Sequence, residues 1–170
     1  MKKIAIILLT LVFAIPTFAQ GRYGKDSAEC VKYLSYYSEL VKQKNLADAA
    51  PFWRQAFSLC PPTANQNMLI NGQSIMRYEI SKNKKDPARV KELVDTLLML
   101  SDIRAQHYPK YAVKSMDNKA IDVVNYLGND YEAQYKQLTD ILNNIKGEAS
   151  PAAFVTQMKA AVEMYRNQKL

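Results

Sequence analysis

Residues 26–62 read DSAECVKYLSYYSELVKQKNLADAAPFWRQAFSLCPP, and this stretch decides the fold. Its first half carries apolar side chains at intervals of three and four residues, which is typical of a helix and not of a strand. The polar run 42–45 separates the two halves. Pro51 falls in the first turn of the second half, where proline disturbs a helix least, and Pro61-Pro62 ends that half. The stretch therefore predicts two helices joined by a short turn.

The same periodicity continues along the chain and predicts five further helices. Asp86-Pro87 is a strong helix start, because aspartate caps a helix and proline suits its first position. Thr63-Ala64-Asn65-Gln66 is predicted as a capping box that opens the third helix. Gly72 lies inside that helix, where glycine is unfavourable, and Gly128 is predicted as a left-handed cap after the fifth helix.

No linker rich in glycine, serine or proline divides the chain after its first residues. Residues 20–170 are therefore predicted to form one all-α domain of about seven helices, with consecutive helices antiparallel because their connections are short. The predicted hairpins cover about residues 26–60, 63–108 and 115–146, and a capping helix covers about residues 150–169.

The capping helix, opened by Ser150-Pro151, has apolar residues along one side. We expect that side to be its packing face and the helix to close the stack against solvent. The residues of this predicted apolar face are Phe154, Val155, Met158, Ala161, Val162 and Tyr165.

The chain begins with the pattern of a secretory signal peptide. Two lysines precede an apolar run from Ile4 to Ile15, and small residues follow at Thr17 and Ala19, as signal peptidase requires. The run is shorter than the about 20 residues that span a bilayer. We predict that residues 1–19 are cleaved on export, and an N-terminal anchor helix is the alternative.

Between Cys30 and Pro61 the chain resembles one tetratricopeptide repeat. In that family the second helix of a pair has a small residue, an aromatic residue four later, a small residue three after that, and a closing proline. Those positions are occupied here by Ala49, Trp53, Ala56 and Pro61. The first helix supplies large residues at Tyr33, Tyr36 and Leu40, and Tyr37 stands where the family has a small residue. The resemblance implies a short α-solenoid of stacked antiparallel hairpins.

A wider resemblance rests on Tyr-Gly-Lys-Asp-Ser-x-Glu-Cys at residues 23–30 and Phe-Trp-Arg-Gln-x-Phe at 52–57, followed by Cys-Pro. Together with the signal pattern, these segments are similar to exported tetratricopeptide-type proteins of Gram-negative bacteria related to the Bacteroides group. The resemblance implies a periplasmic module that binds a protein or peptide partner on a concave face. Under the repeat register, the candidate partner-binding residues are Leu34, Tyr37, Ser38, Asn67 and Asn71.

The predicted hairpin also bears on the two cysteines. Cys30 lies in the first turn of the first helix and Cys60 at the end of the second, and these two ends are neighbours in an antiparallel hairpin. A disulfide needs Cα atoms within about 7 Å of each other, and export permits one. We predict a Cys30–Cys60 disulfide, with two unpaired, partly buried thiols as the alternative.

The sequence contains no grouping of residues that suits catalysis or metal binding. His107 is the single histidine, and a disulfide would remove both thiols as nucleophiles. Neither a glycine-rich phosphate loop nor metal-ligand spacing occurs. We therefore expect a protein that is not an enzyme and needs no cofactor.

The charge balance is basic, with a formal net charge of +7. The densest cluster, Lys82-Asn83-Lys84-Lys85, is predicted as a solvated loop at a helix end, and an acidic partner or anionic membrane is the functional alternative. Export argues against nucleic acid as a partner. The leading hypothesis is an exported protein-binding scaffold in the cell envelope. The alternative is a basic helical module at the membrane or cell-wall surface, such as a periplasmic holdase chaperone.

Overall fold

The computed structural model of the chain describes residues 21–145 and 149–167. The predicted signal peptide, residues 1–19, lies outside the described residues. Within them the protein is all-helical, which confirms the predicted fold class. The α-helices are α1 (Ser27–Lys42), α2 (Leu46–Leu59), α3 (Gln66–Lys82), α4 (Pro87–His107), α5 (Ala112–Tyr126), α6 (Tyr131–Ile145) and α7 (Pro151–Arg166), and a 3-10 helix, Pro109–Tyr111, lies between α4 and α5.

The start of α4 follows the local sequence, whereas α3 begins later than predicted and α5 begins at Ala112, before the predicted residue 115. The Asp86 carboxylate accepts the backbone N–H of Arg89 at 3.0 Å, and Pro87 is the first residue of α4, as predicted. The cap of α3 is Asn65, whose side chain accepts a backbone N–H at 2.9 Å. The prediction that Thr63 caps this helix is wrong, because residues 61–64 form a turn closed by a backbone hydrogen bond.

Each helix packs on its neighbours in the chain, from α1 against α2 to α6 against α7. Two contacts skip one helix, between α1 and α3 and between α5 and α7. The helix α6 packs more extensively on α7 than on α5. The last three helices therefore pack together, and α7 contacts both α5 and α6. The α-solenoid arrangement stays a prediction.

The first hairpin packs on α3 through Trp53 of α2 and Gly72 of α3. Trp53 is buried, its ring stacks on Phe57 at 5.1 Å between centroids, and its Nε1 donates a hydrogen bond to the Met68 carbonyl at 2.8 Å. The ring lies directly on the backbone of Gly72, where an added Cβ would come within 2.6 Å of the Trp53 Cε2 atom. Glycine is thus required in α3 because the indole occupies the place of a side chain.

The small residues that flank this tryptophan are buried as well. Ala49 and Ala56 have no exposed surface, which lets α1 and α2 approach closely. Pro61 is half-buried and lies against Gly24. These four residues, singled out by the repeat resemblance, therefore all have structural roles in the first hairpin.

Cys30 and Cys60 form the predicted disulfide, with their Cα atoms 5.2 Å apart. It joins the start of α1 to the end of α2, and the described residues contain no free cysteine. Both cysteines are buried in the core between these helices. Such a bridge fits an oxidising compartment.

Buried polar side chains connect α3, α4 and α5. Gln73 donates a hydrogen bond to the Ser101 hydroxyl at 2.8 Å, and the Ser115 hydroxyl donates to the Ser101 carbonyl at 2.9 Å. Arg77 forms two hydrogen bonds, at 2.9 and 2.7 Å, with the almost fully buried carboxylate of Asp122. Because a buried carboxylate is costly without a partner, these bonds favour one register of the three helices.

The helix α7 packs with a face other than the predicted one. Its buried residues are Ala153, Ala160 and Met164. The two alanines present little bulk, so this side of the helix can approach its neighbours closely. The large apolar residues of the predicted packing face are exposed instead: Phe154, Val155, Met158, Val162 and Tyr165. The predicted orientation of α7, and with it a polar outer cap, is therefore wrong.

Candidate binding groove between α4 and α6

The predicted partner-binding residues do not form one accessible surface. Leu34 and Tyr37, on α1, are 7% and 0% exposed, so the expectation that they face a partner is wrong. Ser38 and Asn71 are half-buried, and Asn67 is exposed. The Leu34 and Tyr37 side chains belong to the buried core, where α1 packs mainly on α2.

Tyr37 fills the site where the repeat family has a small residue, and its whole side chain is buried. Its hydroxyl has no hydrogen-bond partner among the described residues. Burial raises the pKa of Tyr37 to about 12, although the nearby Asn71 side chain lowers it in part. The hydroxyl is therefore a neutral group held in the core, away from any ligand.

Replacing Tyr37 by phenylalanine is expected to remove a loss of stability at alkaline pH. The folded-state pKa lies above the ordinary value of 10.0, so the full stability is present below pH 10 and falls as the pH rises toward about 12. Each pH unit in this window should lower the free energy of unfolding by roughly 1.4 kcal/mol. Urea unfolding at stepped pH should show this slope in the wild type and a shallower one in Tyr37→Phe. Tyr36→Phe, at an exposed neighbour, is the control, and identical slopes for Tyr37→Phe and the wild type up to pH 11 would contradict the prediction.

A concave surface lies between α4 and α6. Both helices pack on α5 and not on each other, which leaves a groove of about 590 Å³ between them. Gly128, at φ +54°, provides the predicted left-handed turn from α5 into α6 at one end. The apolar lining consists of Pro87, Val90, Val94 and Leu98 from α4 and of Tyr126, Leu127 and Ala133 from the α5–α6 side. The groove has the size of sites that hold small ligands or short peptide segments, about 300–1,000 Å³.

The rim of the groove is charged, with three lysines and two aspartates. Lys91 pairs with Asp95 at 2.8 Å on the exposed side of α4, and Asp130 accepts the backbone N–H of Ala133. Lys84 and Lys136 also line the groove, and neither forms an ion pair with any other described residue. An apolar floor beneath these ammonium groups suits a ligand that combines an apolar group with negative charge.

Sequence reasoning located parts of this groove without recognising it. The apolar stripe of α4 is visible in the sequence, and Lys84 belongs to the basic cluster that was predicted to be a solvated loop. Nothing in the local pattern indicates that α4 and α6 stand apart. Only the packing of both helices on α5 brings Lys84 and Lys136 to one rim.

Within residues 21–145 and 149–167, no three histidine, cysteine, aspartate or glutamate side chains cluster as metal ligands would. No helix in those same ranges combines the length and the apolar character needed to cross a bilayer.

Comparison with known proteins finds no match for this chain among family models, curated proteins or solved structures. The tetratricopeptide resemblance and the functions it implies therefore stay predictions. The candidate site depends on its own geometry alone.

Proposed function

We propose that the protein is an exported helical scaffold, not an enzyme, whose α4–α6 groove binds a short acidic segment of a partner protein in the cell envelope. The observation that carries the proposal is the groove itself, with an apolar floor and two rim lysines, Lys84 and Lys136, that form no ion pair with the described residues. An apolar side chain of the partner would lie on Val94 and Leu98, and its carboxylates would face Lys84 and Lys136. No cofactor is needed for this role.

Two features support export to the periplasm. The first residues have the order of a signal peptide, with lysines, an apolar run and then small residues. The Cys30–Cys60 bridge belongs to an oxidising environment, and disulfides are rare in the cytosol. The periplasm has this character and gives access to partners in the envelope.

Site-specific photo-crosslinking in cells tests the groove. A benzoylphenylalanine at Gln137, inside the groove, is expected to crosslink to a discrete partner, and the same probe at the exposed Lys114 of α5 is not. Lys84→Glu combined with Lys136→Glu should reduce the Gln137 crosslink at least tenfold, because two attractive contacts become repulsive.

Matched controls make the result specific. Lys25→Glu combined with Lys114→Glu changes the net charge equally at two exposed sites away from the groove and should leave the crosslink intact. Unchanged thermal unfolding of both double variants excludes a loss of fold. Equal crosslinking from Gln137 and Lys114, or equal sensitivity to both double reversals, would contradict a peptide-binding groove.

The alternative function is a basic helical module that acts at the membrane or cell-wall surface. The net charge of +7 favours it, because positive charge attracts anionic lipid. Binding to vesicles of phosphatidylglycerol that weakens with added salt would support this alternative. Absence of binding at low salt would leave the groove proposal as the stronger one.

A further inference from the structure

The last helix is apolar on two opposite sides. Its inner side contacts α5 and α6 through Ala153, Ala160 and Met164. Its outer side exposes 51% of Val155, 67% of Met158 and 75% of Tyr165. Helices with apolar residues on two opposite sides are usually packed against other structure on both sides. The outer side of α7 therefore lacks a partner within the described chain.

The order of residues on this outer face reads almost the same in both directions. From the start of α7 to its end the exposed side chains are aromatic, valine, methionine, valine and aromatic: Phe154, Val155, Met158, Val162 and Tyr165. Phe154 and Tyr165 are centred between residues 159 and 160, and Val155 and Val162 between residues 158 and 159, so the arrangement is nearly symmetric about residue 159. Two such helices can therefore meet antiparallel about a twofold axis, which requires a self-complementary patch.

In that arrangement like groups meet across the axis. Val155 of one copy lies opposite Val162 of the second copy, and Phe154 lies opposite the second copy's Tyr165. On the flank of this face, Glu163 forms an ion pair with Arg166 of the same helix at 2.9 Å. Lys159 and Glu163 line a shallow depression of about 350 Å³ together with Val155, Met158 and Val162.

The exposed area is sufficient for a small dimer interface. The five side chains expose roughly 500 Å² in one copy, given their exposed fractions and side-chain sizes. Complete burial of these side chains in both copies would remove at most about twice that area, which reaches the about 1,000 Å² that a specific interface needs. An interface of this size predicts a reversible dimer whose population depends on concentration.

We propose that α7 is a homodimerisation helix, which pairs antiparallel with α7 of a second copy through Phe154, Val155, Met158, Val162 and Tyr165. This surface is separate from the α4–α6 groove, so the proposal does not depend on the function proposed above.

Sedimentation velocity over about 1–500 µM tests the dimer in the range expected for a small interface. The wild type is expected to shift from monomer to dimer, and Met158→Asp should stay monomeric. Met99→Asp, at an exposed methionine of α4, should dimerise like the wild type. Met158→Cys should crosslink to a second copy through a short bismaleimide, and Met99→Cys should not.

Three results would overturn the proposal. They are a wild type that is monomeric over the whole range, a dimer that persists in Met158→Asp, and equal crosslinking from both cysteine variants. Binding of monomers to phosphatidylglycerol vesicles that Met158→Asp abolishes would assign the face to a lipid surface instead. Lys84→Glu combined with Lys136→Glu should leave the dimer intact. A result that contradicts the proposed groove can therefore be distinguished from one that contradicts the proposed dimer.

Discussion

Replacing Trp53 by alanine is expected to lower the free energy of unfolding by about 3–5 kcal/mol. The indole is buried at the junction of α2 and α3, and its removal leaves a cavity and the Met68 carbonyl without its hydrogen bond. Phe57 would also lose the ring on which it stacks. Chemical denaturation followed by circular dichroism measures the change.

The contact with Gly72 permits a sharper form of this prediction. Gly72→Ala is expected to destabilise the wild type by about 1–3 kcal/mol, because the new methyl group would overlap the indole. In the Trp53→Ala background the same change should become neutral or stabilising by up to about 1 kcal/mol, because alanine favours a helix over glycine. The change of sign is the expected result of the double-mutant cycle.

The cycle distinguishes a local overlap from general intolerance of α3. Gly72→Ala would be equally destabilising in both backgrounds if the glycine were needed for the backbone alone. That outcome would contradict the packing of Trp53 on Gly72. Asn67→Ala, at an exposed residue in the first turn of the same helix, gives the effect of a substitution without this contact.

Removal of the disulfide, as Cys30→Ala with Cys60→Ala, is expected to cost about 3–4 kcal/mol of stability. The bridge spans 30 residues of sequence, and in the chain-entropy description it restricts the unfolded chain more than the folded one. Because both cysteines are buried, part of the loss also comes from the packing around the sulfur atoms. The double variant should still fold, with α1 and α2 held together by the core that includes Trp53.

Reducing agent provides the matched control for this prediction. Dithiothreitol should lower the unfolding midpoint of the wild type and leave that of the double variant unchanged. Mass spectrometry after alkylation without reduction should find no modified cysteine in protein purified under non-reducing conditions. Two alkylated thiols in that material, or a wild type whose stability does not respond to reduction, would contradict a structural bridge.

Several features could be predicted from short stretches of sequence. The caps at Asp86 and Gly128, and the stop at Pro61-Pro62, depend on backbone preferences within a few residues. The Cys30–Cys60 bridge also followed from a local pattern, because a two-helix hairpin brings its own ends together. Thr63 was wrongly predicted to cap α3. The backbone there instead forms a turn, in which the Ala64 N–H donates to the Pro61 carbonyl, and the helix begins after it.

Other features depend on which helices meet, and these were predicted incorrectly or missed. Tyr37 was assigned to a surface although it lies in the buried core, and α7 was oriented with its bulky residues inward although its alanines allow the closer approach. Gly72 is unfavourable for a helix by itself, but the Trp53 ring occupies the space that a side chain at this position would need. Periodicity identifies the apolar faces of a helix. Where a helix has two such faces, the neighbouring helices decide which of them is buried.

The sequence by itself determined that the described chain is a series of short helices, where most of them start and end, and that two cysteines lie at the ends of one hairpin. These properties arise from interactions among residues close in the chain. Only the tertiary structure decided that α4 and α6 stand apart to form a groove, and that the outer side of α7 is apolar and exposed. The physical reason is that burial and charge at these surfaces depend on distances between helices, which steric fit across the whole core sets.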